Sequence, residues 1–258
     1  SGDCAQVLSN LSLVPLAHNA GTFSLNDVER VVDRAASGRV HTGIGAIVIE
    51  SPIRRRRGEL FDYGEMQRIC RYARDNDIAT HLDGARLFMA SGYTGIAPAE
   101  FASHFDTVYV SMWKYFNASS GAILAGPRGL LDDLYHERRM FGGAMPGAWP
   151  LTAVALHFVD GFEERFAAGV AASRELVDEL DELPGMRVEA VPNGSNVFKL
   201  HVEDVDLASF RAAMAQHDVQ MPGPASGWSG FFLNVNETLA RRPPQETARA
   251  FRDALVAS

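Results

Sequence analysis

Lysine is scarce in this sequence. The 258-residue chain has 24 Lys and Arg residues, and only two of them, Lys114 and Lys199, are lysines. A surface cation can be either residue, but a guanidinium does not lose its proton, so chemistry that needs a neutral amine needs lysine. The scarcity therefore singles out the lysines as candidates for a chemical role.

Other absences narrow the class of protein. The two cysteines, Cys4 and Cys70, suggest neither a disulfide framework nor metal-ligand spacing. No apolar run approaches the roughly 20 residues that span a bilayer, and the net charge of -8 offers no basic field for nucleic acid. Nucleotide-binding glycine loops, a serine-hydrolase elbow and Cys/His ligand clusters are also missing. We therefore expect a cytoplasmic enzyme with no nucleic-acid or membrane partner.

Two polar segments follow apolar runs that read as neighbouring strands. The segment HLDGAR at 81–86 ends the run that begins at Ile78, and SMWK at 111–114 follows the run 105–110. The carboxyl ends of parallel strands meet at one edge of an α/β sheet, where ligands bind. An acid at one strand end and a lysine at the next are what a site for pyridoxal phosphate (PLP) requires.

The chemistry of PLP accounts for three residue types. A lysine amine must form the Schiff base with the cofactor aldehyde, a role that Lys114 fits. A carboxylate must keep the pyridine nitrogen protonated, which suits Asp83, and Arg86 can fork onto a phosphate or carboxylate. The aromatic neighbours of Lys114 are expected to lower its pKa by desolvation. The alternative is a lysine that merely caps a strand end.

The segment HLDGARLF resembles the HxDGAR signature of the threonine aldolase and β-eliminating lyase family of fold-type-I PLP enzymes. The resemblance runs from about Leu11 to the end of the chain and is strongest between 58 and 147. It implies that Asp83 pairs with the pyridinium, Arg86 binds phosphate and substrate carboxylate, and Lys114 holds the cofactor.

The resemblance also carries further expectations. In related folds a serine three residues before the lysine contacts the phosphate, which implies that role for Ser111; a hydroxyl that ties the strand end is the alternative. The implied fold is an α/β, PLP-transferase-like (fold type I) large domain with a mostly parallel sheet at 1–158, followed by a small α+β domain at 159–258. About 80–100 residues of the large domain are expected to be missing before Ser1. A homodimer or homotetramer is implied.

Hydrophobic periodicity predicts the individual elements. Strands are expected at 11–16, 43–50, 78–83, 107–111, 120–126, 186–191, 196–202 and 231–235. Helices are expected at 24–36, 63–76, 87–91, 98–103, 128–139, 149–158, 162–183, 207–216 and 244–256. The continuous apolar run at 43–50 predicts a strand buried on both faces.

The sequence departs from the family at three places. The family histidine that contacts the substrate hydroxyl is absent, because Ile53 stands in its region. The arginine of the GGGMRQ segment is replaced around Pro146. The arginine that grips the substrate carboxylate is replaced around Gly230, and Arg241 and Arg242 could compensate only if their loop folds back.

The resemblance implies a PLP-dependent lyase acting on a small-molecule amino-acid substrate, with retro-aldol cleavage of a β-hydroxy amino acid to glycine and an aldehyde as the leading hypothesis. The missing histidine weakens that reaction, which needs a base for the hydroxyl proton. β-Elimination or another amino-acid transformation is the first alternative, and a non-catalytic relative the second. Two roles stay open: His81 orients Asp83 or is a satisfied core residue, and the arginines at 54–57 bind an anion or a neighbouring subunit, or form a solvated loop.

Overall fold

A computed structural model describes residues 4–17 and 19–258. Within them the α-helices are α1 (Cys4–Ser9), α2 (Leu25–Ser37), α3 (Tyr63–Asp75), α4 (Leu87–Thr94), α5 (Pro98–Ala102), α6 (Arg128–Leu131), α7 (Leu134–Met140), α8 (Trp149–Val159), α9 (Phe162–Asp181), α10 (Leu207–Gln216) and α11 (Pro244–Ala257). The strands are β1 (Ala46–Glu50), β2 (Ala79–Asp83), β3 (Thr107–Ser111), β4 (Ala122–Ala125), β5 (Met186–Ala190), β6 (Val197–Val202) and β7 (Gly230–Asn234). Short 3-10 helices lie at Arg54–Arg56 and Glu237–Arg241.

The first sheet has the order β1-β2-β3-β4. β1, β2 and β3 are parallel, and β4 returns antiparallel to β3. The helices between parallel strands are the crossovers that such pairing requires. The predicted α/β fold with a mostly parallel sheet is confirmed.

Helices α2 and α3 each begin directly after a capping residue. The Ser24 hydroxyl accepts from the Asp27 backbone N–H, and the Asp27 carboxylate accepts from the Ser24 N–H, which forms a capping box. Asp62 accepts from the N–H of Glu65 at the start of α3. The buried side of α3, including Met66 and Ile69, then packs in the core beneath the sheet.

Strand β1 corrects the expectation of burial on both faces. Ile47 and Ile49 are buried in the core, but Val48, which points to the opposite face, is 56% exposed. Successive side chains of a strand point to opposite faces, so one face of β1 is covered and the face of Val48 is open to solvent. An apolar run alone therefore could not tell whether the second face is covered.

Three other predictions need correction. The segment expected as a strand at 11–16 is irregular and exposed up to Pro15, and none of the described strands pairs with it. The helix expected at 128–139 is broken into α6 and α7. Helix α4 does not stop at Gly92 but runs on to a left-handed Gly95 with φ of 71°.

The second sheet is small and antiparallel, with the order β5-β6-β7. It packs with α10 and α11 into a second hydrophobic core, as the α+β prediction requires. Helix α9 contributes to both cores: Phe162, Phe166 and Val170 pack in the first, and Leu176 and Leu180 in the second. The boundary between 158 and 159 stays a prediction, since α9 follows it directly and joins the two cores.

Gly92 lets α4 approach α9 closely. A Cβ at this position would lie 2.5 Å from Cδ1 and 2.7 Å from Cε1 of Phe166, a ring that is itself fully buried. We expect Gly92→Ala to destabilise the protein by about 1–3 kcal/mol through overpacking, against a gain of up to about 1 kcal/mol from helix propensity. Thermal or urea denaturation measures the change.

The matched control is Gly64→Ala in α3, where the nearest atom to the added Cβ lies at 3.4 Å. That variant should be neutral or slightly stabilised. Equal stability of the two variants would show that Phe166 yields without cost.

Candidate active site

Asp83 lies at the carboxyl end of β2, in the centre of the parallel part of the sheet. Its neighbours in register are Glu50 of β1 and Tyr109 of β3. All three are partly exposed and point to the face of the sheet opposite the core. The Asp83 carboxylate accepts a hydrogen bond of 3.2 Å from the Ala85 N–H, which holds it at the turn that leaves the strand.

Arg86 stands at the N-terminal boundary of α4, directly after that turn. Gly84 permits the turn, since a Cβ there would lie 3.1 Å from the Tyr109 carbonyl oxygen and 3.2 Å from the Leu87 Cβ. The Arg86 side chain is half-buried, and this burial, the largest cause, lowers its pKa, while the charges of Glu50 and Asp83 oppose the shift. The short segment 83–86 thus places one carboxylate, Asp83, and one guanidinium, Arg86, at the carboxyl end of β2.

Lys114 follows the end of β3. The backbone N–H of Phe116 donates to the Met112 carbonyl at 3.1 Å, so the segment turns immediately after the strand. The amine of Lys114 lies 5.5 Å from the centre of the Trp113 ring. Desolvation is the largest cause that lowers the pKa of Lys114, and the neighbouring Arg86 guanidinium lowers it further.

The structure brings the predicted Asp83, Arg86 and Lys114 into one electrostatic neighbourhood. The charge of Asp83 acts on both Lys114 and Arg86, raising the pKa of each against the effect of burial. Within the described part of the chain, none of the three is ion-paired with another. None of the three side chains is therefore held by the other two, so each can still bind a ligand.

Two hydroxyls beside the lysine are buried: Ser111 Oγ, which has no hydrogen-bond partner in the described residues, and the phenol of Tyr115, which interacts with the Phe88 backbone. Ser111 is fully buried at the end of β3, and burial also raises the pKa of Tyr115. A buried hydroxyl that makes no hydrogen bond costs about 1–3 kcal/mol. A buried hydroxyl without a hydrogen-bond partner indicates that a group other than these side chains completes the site.

The sequence analysis missed Glu50 and left Arg54 open. Glu50 ends the apolar strand β1 just as Asp83 ends β2, so its position at the same sheet edge was a usable signal. Its carboxylate accepts from the backbone N–H of Arg54 at 2.9 Å. The charges of both residues act on Lys114 and Arg86, which makes Glu50 and Arg54 part of the candidate site.

His81 lies on the same face of β2 as Asp83, two residues earlier. Its Nδ1 is 2.8 Å from the hydroxyl oxygen of Thr107, and desolvation lowers its pKa. This geometry favours the interpretation of a satisfied histidine over one that orients Asp83.

Arg241 and Arg242 are engaged elsewhere. A guanidinium N–H of Arg242 donates to the His217 carbonyl at 3.0 Å. Arg241 lines a cavity of about 490 Å³ against α9, together with Ala168 and Ala172. These contacts offer no support for the compensation considered for this pair.

Comparison with known proteins shows to which family the chain belongs. The family model described as beta-eliminating lyase matches residues 2–203. The chain belongs to this family. Its members are PLP-dependent, and the solved neighbours share the fold-type-I architecture.

Three proteins that are similar to this member of the β-eliminating lyase family illustrate the match. A low-specificity L-threonine aldolase from Candida albicans is 28% identical over 193 residues, covering 74% of this chain and 50% of that protein. An alanine racemase from Cochliobolus carbonum is 35% identical over 98 residues, covering 38% of this chain and 25% of that protein. A solved protein from Listeria monocytogenes EGD-E, provisionally named an L-allo-threonine aldolase, superposes with a TM-score of 0.78 at 23% identity over 99% of this chain and 71% of that one.

The chain spans about half the length of the Candida albicans relative. Among the described residues, none of the helices is long and apolar enough to cross a membrane. The same residues contain no group of three or more His, Cys, Asp or Glu side chains placed to hold a metal ion.

The lowered pKa of Lys114 predicts selective chemical modification. At pH 8 a lysine with a depressed pKa has a larger neutral fraction, by up to about tenfold for each pH unit by which its pKa falls. Lys199 is ion-paired with Glu189 instead. We expect trinitrobenzenesulfonate to label Lys114 several-fold faster than Lys199, as read by peptide mass spectrometry of the cofactor-free chain. Equal labelling of the two lysines would contradict the described environment of Lys114, and Lys114→Arg is the control that removes the fast site.

Proposed function

We propose that this chain is a PLP-dependent lyase that cleaves the Cα–Cβ bond of a β-hydroxy amino acid, giving glycine and an aldehyde. The observation that carries the proposal is the meeting of Asp83, Arg86 and Lys114 at the carboxyl edge of a parallel sheet. Membership of the β-eliminating lyase family and the likeness to a threonine aldolase support it.

The residues present fit PLP. Lys114 would link covalently to the cofactor, Asp83 would hold the proton on its ring nitrogen, and Arg86 would bind its phosphate or the substrate carboxylate. The unpartnered hydroxyl of Ser111 is suited to the phosphate. When bound, PLP supplies the electron sink that accepts charge from the breaking bond.

The environment of Lys114 lets its amine lose a proton more readily than the amine of an exposed lysine. Its pKa is lowered by desolvation and by Arg86, so more of the amine is neutral and nucleophilic than in an exposed lysine. Asp83 and Glu50 limit the shift, so the amine can still hold a proton. Lys114 is therefore suited both to attack a carbonyl carbon and to carry a proton.

A second candidate reaction is favoured by Ile53. This side chain is buried and stands in the region of the family histidine that contacts the substrate hydroxyl. An alkyl side chain cannot accept the hydroxyl proton. β-Elimination does not need that base. Neither does another amino-acid transformation, such as the racemisation for which a relative of this chain is named. A non-catalytic relative is the remaining alternative.

We further propose a cytoplasmic homodimer or homotetramer with a large domain at 1–158 and a small one at 159–258. Helix α8 supports the oligomer, because Trp149 and Leu156 on it are 75% and 70% exposed. Exposed apolar patches of this kind mark interaction surfaces. The buried free thiol of Cys70 is consistent with a reducing compartment.

The lyase proposal is tested with PLP-loaded protein. Incubation with L-threonine or L-allo-threonine should yield glycine and acetaldehyde, and borohydride reduction should fix the cofactor to Lys114. We expect Lys114→Ala to lower turnover by about 100- to 10,000-fold, since it removes the attacking and proton-carrying amine. Peptide mapping and an aldehyde assay measure the two outcomes.

A substrate panel separates the candidate reactions. Serine and cysteine conjugates give a 2-oxo acid and ammonia if the chain is a β-eliminating enzyme, and alanine loses its optical rotation if it is a racemase. A PLP-loaded sample that releases no aldehyde from either threonine isomer would rule out the aldolase reaction. A chain that retains no PLP would leave the non-catalytic interpretation.

A further inference from the structure

The loop that follows β1 joins the edge of the large sheet to the small domain. At its start the Ser51 N–H donates to the Asp83 carbonyl at 3.3 Å. At its end the Gly58 carbonyl accepts from both the hydroxyl of Ser195, at 2.8 Å, and its backbone N–H, at 2.9 Å. The loop carries the arginines at 54–57, so the structure fixes a cationic segment between the acid of the candidate site and the small sheet. We call this segment, residues 51–58, the arginine loop.

The arginines of this loop have different surroundings. Arg56 pairs with Glu59 at 2.9 Å, and the Arg57 guanidinium lies 3.9 Å from the centre of the Phe232 ring on β7. These contacts anchor the loop at its C-terminal side. Arg54 lies at the other end, four residues after Glu50, whose carboxylate accepts from its backbone N–H. The contact fixes the Arg54 backbone and leaves its guanidinium available.

The position of Arg54 relates it to the candidate active site. Glu50 is in register with Asp83 on the neighbouring strand, so the carboxylate that holds the Arg54 backbone is one strand from the acid proposed to face the cofactor ring. The positive charge of Arg54 also lowers the pKa of both Lys114 and Arg86.

A charge count shows why a second arginine is needed. PLP brings a phosphate and the substrate brings a carboxylate, and each requires a cation or a set of N–H donors. In the proposed function Lys114 is used covalently and Asp83 pairs with the ring. Among the described residues of the site, this leaves Arg86 and Arg54 for two anions. Gly230, meanwhile, stands in the region where the resemblance places a carboxylate-binding arginine.

We propose that Arg54 binds the α-carboxylate of the amino-acid substrate and that the arginine loop, anchored through Glu50, Ser195 and Phe232, holds it in position. This inference rests on the proposed function and adds to it the residue that selects for a free carboxylate. It leaves Arg86 for the cofactor phosphate. The selected substrate class is amino acids with an unblocked carboxyl group.

The test compares Arg54→Ala with Arg55→Ala in PLP-loaded protein. Both side chains are exposed, so neither change should disturb the fold. Glycine and glycinamide are titrated by calorimetry, after PLP occupancy has been measured by visible absorbance. For Arg54→Ala we expect the affinity for glycine to fall by about 10- to 100-fold, with PLP occupancy and glycinamide affinity unchanged. Arg55→Ala should leave all three unchanged, and Arg54→Lys should retain part of the glycine affinity.

The outcomes separate this inference from the proposed function. If the parent chain binds PLP and cleaves threonine but Arg54→Ala binds glycine as tightly as the parent, the role of Arg54 is wrong and the lyase proposal stands. If Arg54→Ala loses PLP rather than glycine, the side chain serves the phosphate, and the carboxylate assignment is wrong. If the parent binds neither PLP nor glycine, both proposals fail together.

Discussion

Parallel pairing of β1, β2 and β3 is the constraint on which the candidate site depends. Parallel strands all end at the same edge, so the residues that follow them are brought together even though they are far apart in sequence. Glu50, Asp83 and Lys114 meet in this way across more than sixty positions of chain. A shift of one residue in this register would turn Asp83 into the core and Leu82 into the candidate site, so the hydrophobic packing of Ile49 and Leu82 also fixes which side chains line that site.

The sequence predicted the parts of this site that depend on residue type and local pattern. The scarcity of lysine pointed to Lys114, and the HLDGAR segment carried Asp83 and Arg86. Hydrophobic periodicity marked α2 and α3, which the structure has. Such signals act over a few residues, where backbone geometry and side-chain chemistry are directly coupled.

Other features depend on contacts between distant segments, and these features could not be predicted from the sequence. Gly92 resembles a helix terminator in sequence, but Phe166, more than seventy residues later, requires its missing side chain. The exposure of Val48 depends on whether anything covers the second face of β1, which no local pattern reports. The place of Arg54 in the site depends on how the arginine loop is anchored by Ser195 and Phe232 of the small domain.

Helix α9 has a mechanical consequence. It is a continuous 20-residue helix, about 30 Å long, with its first half embedded in one core and its second half in the other. Tilting one core against the other would require bending this rod or extracting large aromatic rings from their packing. Its stiffness therefore resists any change in the angle between the two sheets that pack on those cores.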